Sequence, residues 1–281
     1  MSSIARALRI LELVADQPDG VRVTDLATML GLNRAIPHRL LAELIDLGYV
    51  AQNPTTERYR ATFKLGSLGL RQLEIAGIAR WSQDELGALA TTSRELVRLA
   101  VASGSVLRFV AKAQGANSAL MIDSASGSDV VLHATASGKA WLSTLPDEEL
   151  LALLTSRGLA PKTPHTETDL QRVVGEIAQA RQAGYAVTHE EMEPGINAIA
   201  APIVPSGGPG GRGVGTVSIA GPSARLTPEV LLSFAPALRA TAEKLGHQWH
   251  VYEYLVALSA SPSSAPDRAD RSDRSDGRRI A

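Results

Sequence analysis

Between Thr24 and Leu47 the chain carries two short helical patterns hinged on a single glycine, and this restricts the first sixty residues more than any other feature. Thr24 is placed to cap a helix running through Leu30, because a hydroxyl there accepts from the free amides of the first turn. Gly31 supplies the backbone freedom for a sharp turn, and Asn33 is placed to cap a third helix running to about Leu47. Along that helix Ile36, Leu40, Leu44 and Leu47 recur at spacings of four, four and three and form the predicted inward face. Arg34, Ala35, His38 and Arg39 fall opposite. Pro37 is the discordant residue: about four residues into the helix it removes an early amide donor, which predicts a later start or a distorted first turn.

Upstream, Ile4, Leu8 and Leu11 with Ala7, Ile10 and Val14 predict a first helix closed by the Pro18-Asp19-Gly20 turn. Downstream of Gly48, Tyr49 to Gln52 and Arg58 to Ala61 flank Asn53 to Glu57, which reads as a hairpin. Two short helices joined through a glycine and followed by a hairpin form the pattern of a winged helix-turn-helix. Such a unit lays its third helix in the major groove of duplex DNA and its hairpin along the phosphates. Arg34 and Arg39 can then bridge phosphates or reach guanine edges, while His38 and Asn33 can hydrogen-bond. The predicted DNA-facing set is Thr24, Asn33, Arg34, Ala35, His38, Arg39, Arg58 and Arg60. From Asn33 to Lys64 there are five Lys or Arg against three Asp or Glu, so the electrostatic signal is thin, and a helical interaction module is the competing reading.

A length of 281 residues predicts about two domains. Hydrophobic residues at 44% and charged residues at 20% provide a core and a solvated surface, and with aromatics at 4% that core rests on Leu, Ile, Val and Ala. The chain has no Cys, which excludes disulfides, thiolate zinc sites and a cysteine nucleophile and fits the reducing cytoplasm. The longest uncharged stretch, Pro194 to Gly211, holds four prolines and five glycines and cannot be a spanning helix. The N-terminus reads as an amphipathic helix with interspersed charges, not as a signal peptide. With a net charge of −1, a nucleic-acid partner must be met by a local basic surface. The predicted organisation is a DNA-binding domain over residues 1–66, with its helix-turn-helix at about 24–47, and an Ala/Leu-rich linking helical segment over 67–102. An effector domain of mixed strands and helices spans 67–258 with that segment included, and an Asp/Arg/Ser-rich disordered tail covers 259–281.

Three motifs in the second part imitate catalytic or cofactor signatures. Ser137-Gly138-Lys139 lacks the Gly and the Ser or Thr of a phosphate loop, having His133 and Ala140 at those places. The glycines near 207–215 precede an apolar strand, whereas a dinucleotide fingerprint follows one, so they read as a loop between strands. A hydrolase using Ser137, His133 and Glu190 lacks a nucleophile elbow. The plainer reading is that Ser137 caps a helix from Gly138 to Thr144 whose first amides attract a carboxylate. His165, His189, Glu190 and Glu191 lack ligand spacing, and His247 and His250 sit beside Trp249 and Tyr252 in a packing context, so no metal and no cofactor is expected.

The segments SIARALRILELVAD, VTDLATMLGLNRAIPHRLLAELIDLGYV and RYRATFKLGSLG resemble the winged helix-turn-helix of the IclR family of bacterial transcriptional regulators. LHATASGKAWLSTLPDEEL, ARQAGYAVTHEEMEPGINAIAAPI and GVGTVSIAGPSARLTPE resemble characteristic stretches of that family's effector-binding domain. The resemblance runs from Ser3 to Gly246. It implies an α+β chain in which a winged helix-turn-helix is joined by a linking helix to a GAF-like α/β sensor. It further implies a homodimer, sometimes a dimer of dimers, on a palindromic duplex operator, acting as a repressor or activator under a small-molecule effector; repression of a metabolic operon is the expectation here. Carried over by position, the effector pocket comprises Ala136 with its neighbours Ser137 and Gly138, then Thr188, Ile196, Ala198, Ser218 and Ala220, with Leu120 to Ile122 as looser walls. The family often has an acidic or polar residue at Thr188, Cys at Ala198 and Ser at Ala220. Smaller or less polar groups at these places predict an acid with an apolar or aromatic body. A sensor without DNA binding and a hydrolase using Ser137 and His133 are the alternative readings.

Overall fold

A computed structural model describes residues 2–75, 78–117, 122, 127–205 and 211–249. The chain divides into two compact units, residues 1–77 and 78–281. The expected tail over 259–281, together with Leu120, His250 and Tyr252, lies outside the described residues.

The first unit packs three helices against a small hairpin. Helix α1 (Ser3–Ala15) starts where the Ser2 hydroxyl accepts from the Ala5 amide, and α2 (Val23–Leu30) stops at Gly31 in the left-handed conformation, φ 62°. Helix α3 (Ala35–Asp46) follows, then β1 (Val50–Gln52) and β2 (Tyr59–Ala61), paired antiparallel with Ala51 opposite Arg60. Ile10, Leu26 and Leu41 are fully buried where the three helices meet, each contributing roughly 2 kcal/mol by burial.

Three details correct the sequence reading. Thr24 does not cap α2: Arg22 holds the cap position without a side-chain bond, and the Thr24 hydroxyl lies near Asp25 instead. The buried face of α3 is Pro37, Leu40, Leu41 and Leu44, while Leu47, the C-cap residue after Asp46, is 58% exposed. Pro37 causes no late start: it is the third helical residue, inside the first turn, where its missing N–H has no intrahelical acceptor to lose. The cap position of this helix is held by Arg34 without a side-chain bond, and Asn33, one residue earlier, accepts at its Oδ1 from the amide of the first helical residue, Ala35, at 3.0 Å. Helix α4 (Phe63–Ile75) ends the unit.

The second unit begins with α5 (Ile78–Ser93). The expected helical segment therefore stops short of Ala102, since Leu96–Ser103 is strand β3; its β-branched and apolar run fits a central strand buried on both faces. Strands β3, β4 (Val106–Gln114), β5 (Ala186–His189), β6 (Ile196–Ile203) and β7 (Gly215–Pro222) form one antiparallel sheet in the order β4-β3-β7-β6-β5. The β4 edge is covered by Gly127 to Val130, whose backbone bonds to Leu107 and Phe109. Helix α10 (Ala235–His247) and α5 pack against each other and the sheet, preceded by the short α9 (Pro228–Ser233). Helices α6 (Ala136–Leu142) and α8 (Leu170–Ala183) pair beside the sheet's other face, with α7 (Asp147–Arg157) between them in sequence. The result is the three-layer sandwich expected of a GAF-like domain.

Helix α6 comes close to the sheet because Ala136 and Ala140 meet Ala186 and Ala200 with no larger side chain between them. Its other end is fixed by the Trp141 indole N–H donating to the Gly213 carbonyl at 3.0 Å. Gly138 sits so tightly against Leu132 that an added Cβ would lie 2.2 Å from that residue's carbonyl oxygen. Gly138→Ala should therefore cost about 3 kcal/mol in urea unfolding. Gly175→Ala on α8, where a methyl meets nothing within 4 Å, should be neutral or stabilising.

Candidate functional site

On the first unit, Asn33, Arg34, Ala35, His38 and Arg39 are exposed along one side of α3, the side turned away from Leu40, Leu41 and Leu44. A basic residue, a small residue and a histidine thus share one accessible stripe. The Asn33 Oδ1 is spent on the Ala35 amide, leaving its side-chain amide as a donor. Thr24 is exposed in the first turn of α2, next to exposed Arg22. The hairpin arginines differ from each other. Arg58 donates to the Gly20 carbonyl at 2.7 Å and ties the hairpin to the turn after α1. Arg60 is exposed, with Asp19 4.0 Å away, so its cation remains accessible to a phosphate.

On the second unit, a cavity of about 210 Å³ lies between the sheet and the start of α6. Register explains its composition: Leu96 pairs with Ala220, Ala220 with Ala198, and Ala198 with Thr188, so these side chains share one sheet face. Ala136, Ser137, Thr188, Ile196, Ala198 and Ala220 line it, joined by Val130 and Thr135. Of the looser walls, Ile122 reaches the cavity. Met192 and Glu193, on the loop between β5 and β6, are exposed residues on its lining.

Two expected lining residues do not reach it. Gly138 is held against Leu132, and its amide donates to Thr135 Oγ1 at 3.0 Å. Thr135, not Ser137, is the cap of α6 and takes the Gly138 amide, while Ala136 and Ser137 before it line the cavity. Ser218 is buried as the cross-strand neighbour of Arg98, and its Oγ has no partner among the described residues.

Sequence reasoning missed Arg98 and Phe109. Arg98 lines the cavity from the middle of β3 with its guanidinium 3.9 Å from the centre of the Phe109 ring. Its Nε is buried without a hydrogen bond, and burial lowers the guanidinium to about 10, partly offset by Glu193, so it remains a cation at neutral pH. The available signal was one arginine inside the apolar run Leu96 to Ala102, since such a charge is rarely enclosed without a purpose.

Lys139, fully buried on α6, is spoken for: its Nζ lies 2.7 and 2.6 Å from the two Glu191 oxygens and 2.7 Å from Glu176 on α8. Burial pushes the Glu191 carboxyl up despite that cation. No hydrogen bond joins Ser137 to His133 among the described residues; His133 Nε2 lies instead 3.0 Å from the Ala160 carbonyl, in a separate cleft with Arg157 and Lys162. The pair therefore lacks the nucleophile-to-base contact that a hydrolase needs. Among the described residues no cluster of three or more His, Asp and Glu could hold a metal ion.

Residues 3–54 match the IclR helix-turn-helix domain, and residues 70–247 match the family described as bacterial transcriptional regulator IclR C-terminal. The chain belongs to the IclR family. It is thus a DNA-binding transcriptional regulator of helix-turn-helix type with a small-molecule effector domain. It is 31% identical to the HTH-type transcriptional regulator XynR of Escherichia coli K12 over 203 residues, covering 72% of this chain and 80% of that one. A solved IclR regulator from Silicibacter sp. TM1040 superposes with a TM-score of 0.77 at 26% identity, covering 88% of this chain and 96% of the other. The inducer-binding domain of a PobR double mutant from Acinetobacter, solved with 3-hydroxybenzoic acid, superposes at 0.54 with 25% identity, covering 62% and 98%.

Burial holds the His133 imidazole below its ordinary 6.5, with Lys139 and Lys162 adding to the shift against the pull of the Ala160 hydrogen bond. A depressed histidine contributes stability that is present above 6.5 and lost as pH falls through that value. The unfolding midpoint should therefore drop as pH is lowered from about 7.5 to about 5.5, and His133→Gln should flatten that drop measurably in a thermal series.

Proposed function

We propose that this IclR-family member is a repressor of a metabolic operon that binds a palindromic operator as a homodimer, or as a dimer of dimers, in the cytoplasm. It is released by a small organic acid with an apolar or aromatic part. The observation that carries this reading is the pairing of an exposed basic stripe on α3 with an enclosed, largely apolar cavity in a different unit of the chain. Thr24, Asn33, Arg34, Ala35, His38, Arg39 and Arg60 form the DNA-facing set, with Arg58 holding the hairpin in place. Ala136, Ser137, Thr188, Ile196, Ala198 and Ala220 contact the effector, and Ser218 and Gly138 shape its walls from behind.

Homodimer formation is supported by apolar side chains that the first unit leaves uncovered: Ile4 and Leu8 on α1, and Phe63 and Leu70 on α4, the last two 91% and 68% exposed. Two recognition helices then sit about one DNA turn apart, and a palindromic operator mirrors the twofold axis. An apolar or aromatic effector is supported by the alanines lining the cavity and by the hydroxybenzoate held in the PobR domain. Repression relieved by the effector requires that the free protein bind DNA and the loaded protein release it.

Gel-shift titration with the DNA upstream of the gene tests the reading: tight binding that weakens steeply with salt supports it, and binding no better than to random duplex removes it. Arg39→Ala should weaken that binding and reduce the salt slope by about one if Arg39 contacts phosphate. Ala198→Met should fill the cavity, leave operator affinity within about twofold of the parent, and abolish release by acid effectors, which titration of the protein–DNA complex with aromatic acids reads directly.

A further inference from the structure

We propose that Arg98 sets the chemical class of the effector, taking one planar carboxylate on its guanidinium and thereby selecting monocarboxylic acids with a single ring. The inference rests on the sheet-lined cavity being the effector site.

Arg98 stands in a central strand flanked by β4 and β7, and its neighbours in β3 are apolar. Among the described residues its guanidinium makes no hydrogen bond and has no carboxylate within 4 Å; the Phe109 ring lies 3.9 Å away, and Glu193 acts on its charge from farther off. Enclosed donors left unmade are costly and are normally matched, here by whatever enters the cavity. A guanidinium offers a flat fork of N–H donors that fits the two oxygens of a carboxylate and fits a neutral amide much less well.

The remaining charges limit the effector to one such group. Among the described residues the other ionisable groups on the lining are Asp129 and Glu193. Asp129 is neutralised by Arg108 at 2.7 Å, and Glu193 keeps an exposed carboxylate on the lining. One bound carboxylate occupies the guanidinium fork, whereas a second would find no other free cation among the described lining residues and would face Glu193. Size limits the rest: a cavity of about 150 Å³ holds benzene, so about 210 Å³ accommodates one ring, a carboxylate and a small substituent. Leu96, Phe109 and Ile196 provide the apolar walls for that ring.

The test uses the full-length protein and calorimetric titration with benzoate, 3-hydroxybenzoate, benzamide, terephthalate and pyruvate. Benzoate or its hydroxy derivative should bind at least about tenfold more tightly than the other three. Arg98→Gln should weaken the benzoates at least about thirtyfold while bringing benzamide level with benzoate. Its ligand-free Tm should stay level or rise by a few degrees, because an enclosed unpaired charge has been removed. Arg98→Lys should retain part of the affinity. The proposal is overturned if Arg98→Gln binds benzoate as the parent does, if terephthalate or pyruvate binds as well as benzoate, or if neither benzoate binds. It is also overturned if Arg98→Gln or Arg98→Met lowers the ligand-free Tm, which would make Arg98 a structural residue. Operator binding by the ligand-free parent, measured alongside, distinguishes the two readings: DNA binding without benzoate binding removes the role of Arg98 and leaves the regulator standing.

Discussion

The close approach of α6 to the sheet is the constraint on which the effector unit depends. Ala136, Ala140, Ala186 and Ala200 form a contact without large side chains, and Gly138 lets the helix touch the Leu132 backbone on its other flank. Helix and sheet this near leave no room for a ligand along most of their length. The effector-sized space opens toward Thr188, Ala198 and Ala220, where small side chains on the sheet face the first turn of the helix. The cavity is thus a consequence of packing made with the smallest residues, and its shape follows from where they stop.

Two enclosed cations in this unit have opposite situations. Lys139 is saturated by Glu176 and Glu191 and pins α6, α8 and the loop after β5 to one another. Such a buried triad is weak evidence for stability, because desolvation offsets most of the attraction, yet breaking it would leave charge uncompensated. Arg98, in contrast, faces a cavity, with the Phe109 ring against it and no hydrogen-bond partner among the described residues. The loop that Lys139 holds through Glu191 also carries Met192 and Glu193 of the cavity lining, so whatever fills the cavity acts on a segment anchored to the core. That is a physical route by which a ligand can favour one arrangement of the unit over another.

Much of this was legible in the sequence. The helix-turn-helix was readable because its signals are local: Gly31 demands a turn, Asn33 accepts from a first-turn amide, and the period of Leu40 and Leu44 sets the buried face. The misreadings were also local, and each has a physical cause. The period of the buried leucines extends to Leu47, which is nonetheless the exposed C-cap residue, and Ser137 reads as a cap although Thr135, two residues earlier, offers the same hydroxyl and takes the Gly138 amide. Pro37 reads as disruptive when it is counted about four residues into the helix; as the third helical residue it still lies among the amides that have no intrahelical acceptor. The exclusion of Ser218 and Gly138 from the cavity depends on depth, which no spacing rule encodes. Arg98 was overlooked because its importance lies in what surrounds it: antiparallel pairing with Ser218 and the bulge beside Leu99 bring it over Phe109, and those are contacts between segments distant in sequence.

A regulator of this kind is defined by coupling between two sites, since an effector that binds both global states equally shifts nothing. Coupling is reciprocal, so it is measured most directly as a closed thermodynamic cycle on one preparation: operator affinity with and without saturating benzoate, and benzoate affinity with and without saturating operator. Coupling through the cavity predicts that the two ratios agree and lie at about tenfold or more, with benzoate weakening DNA and DNA weakening benzoate equally. Ratios of one in both directions, with both ligands binding, would contradict it.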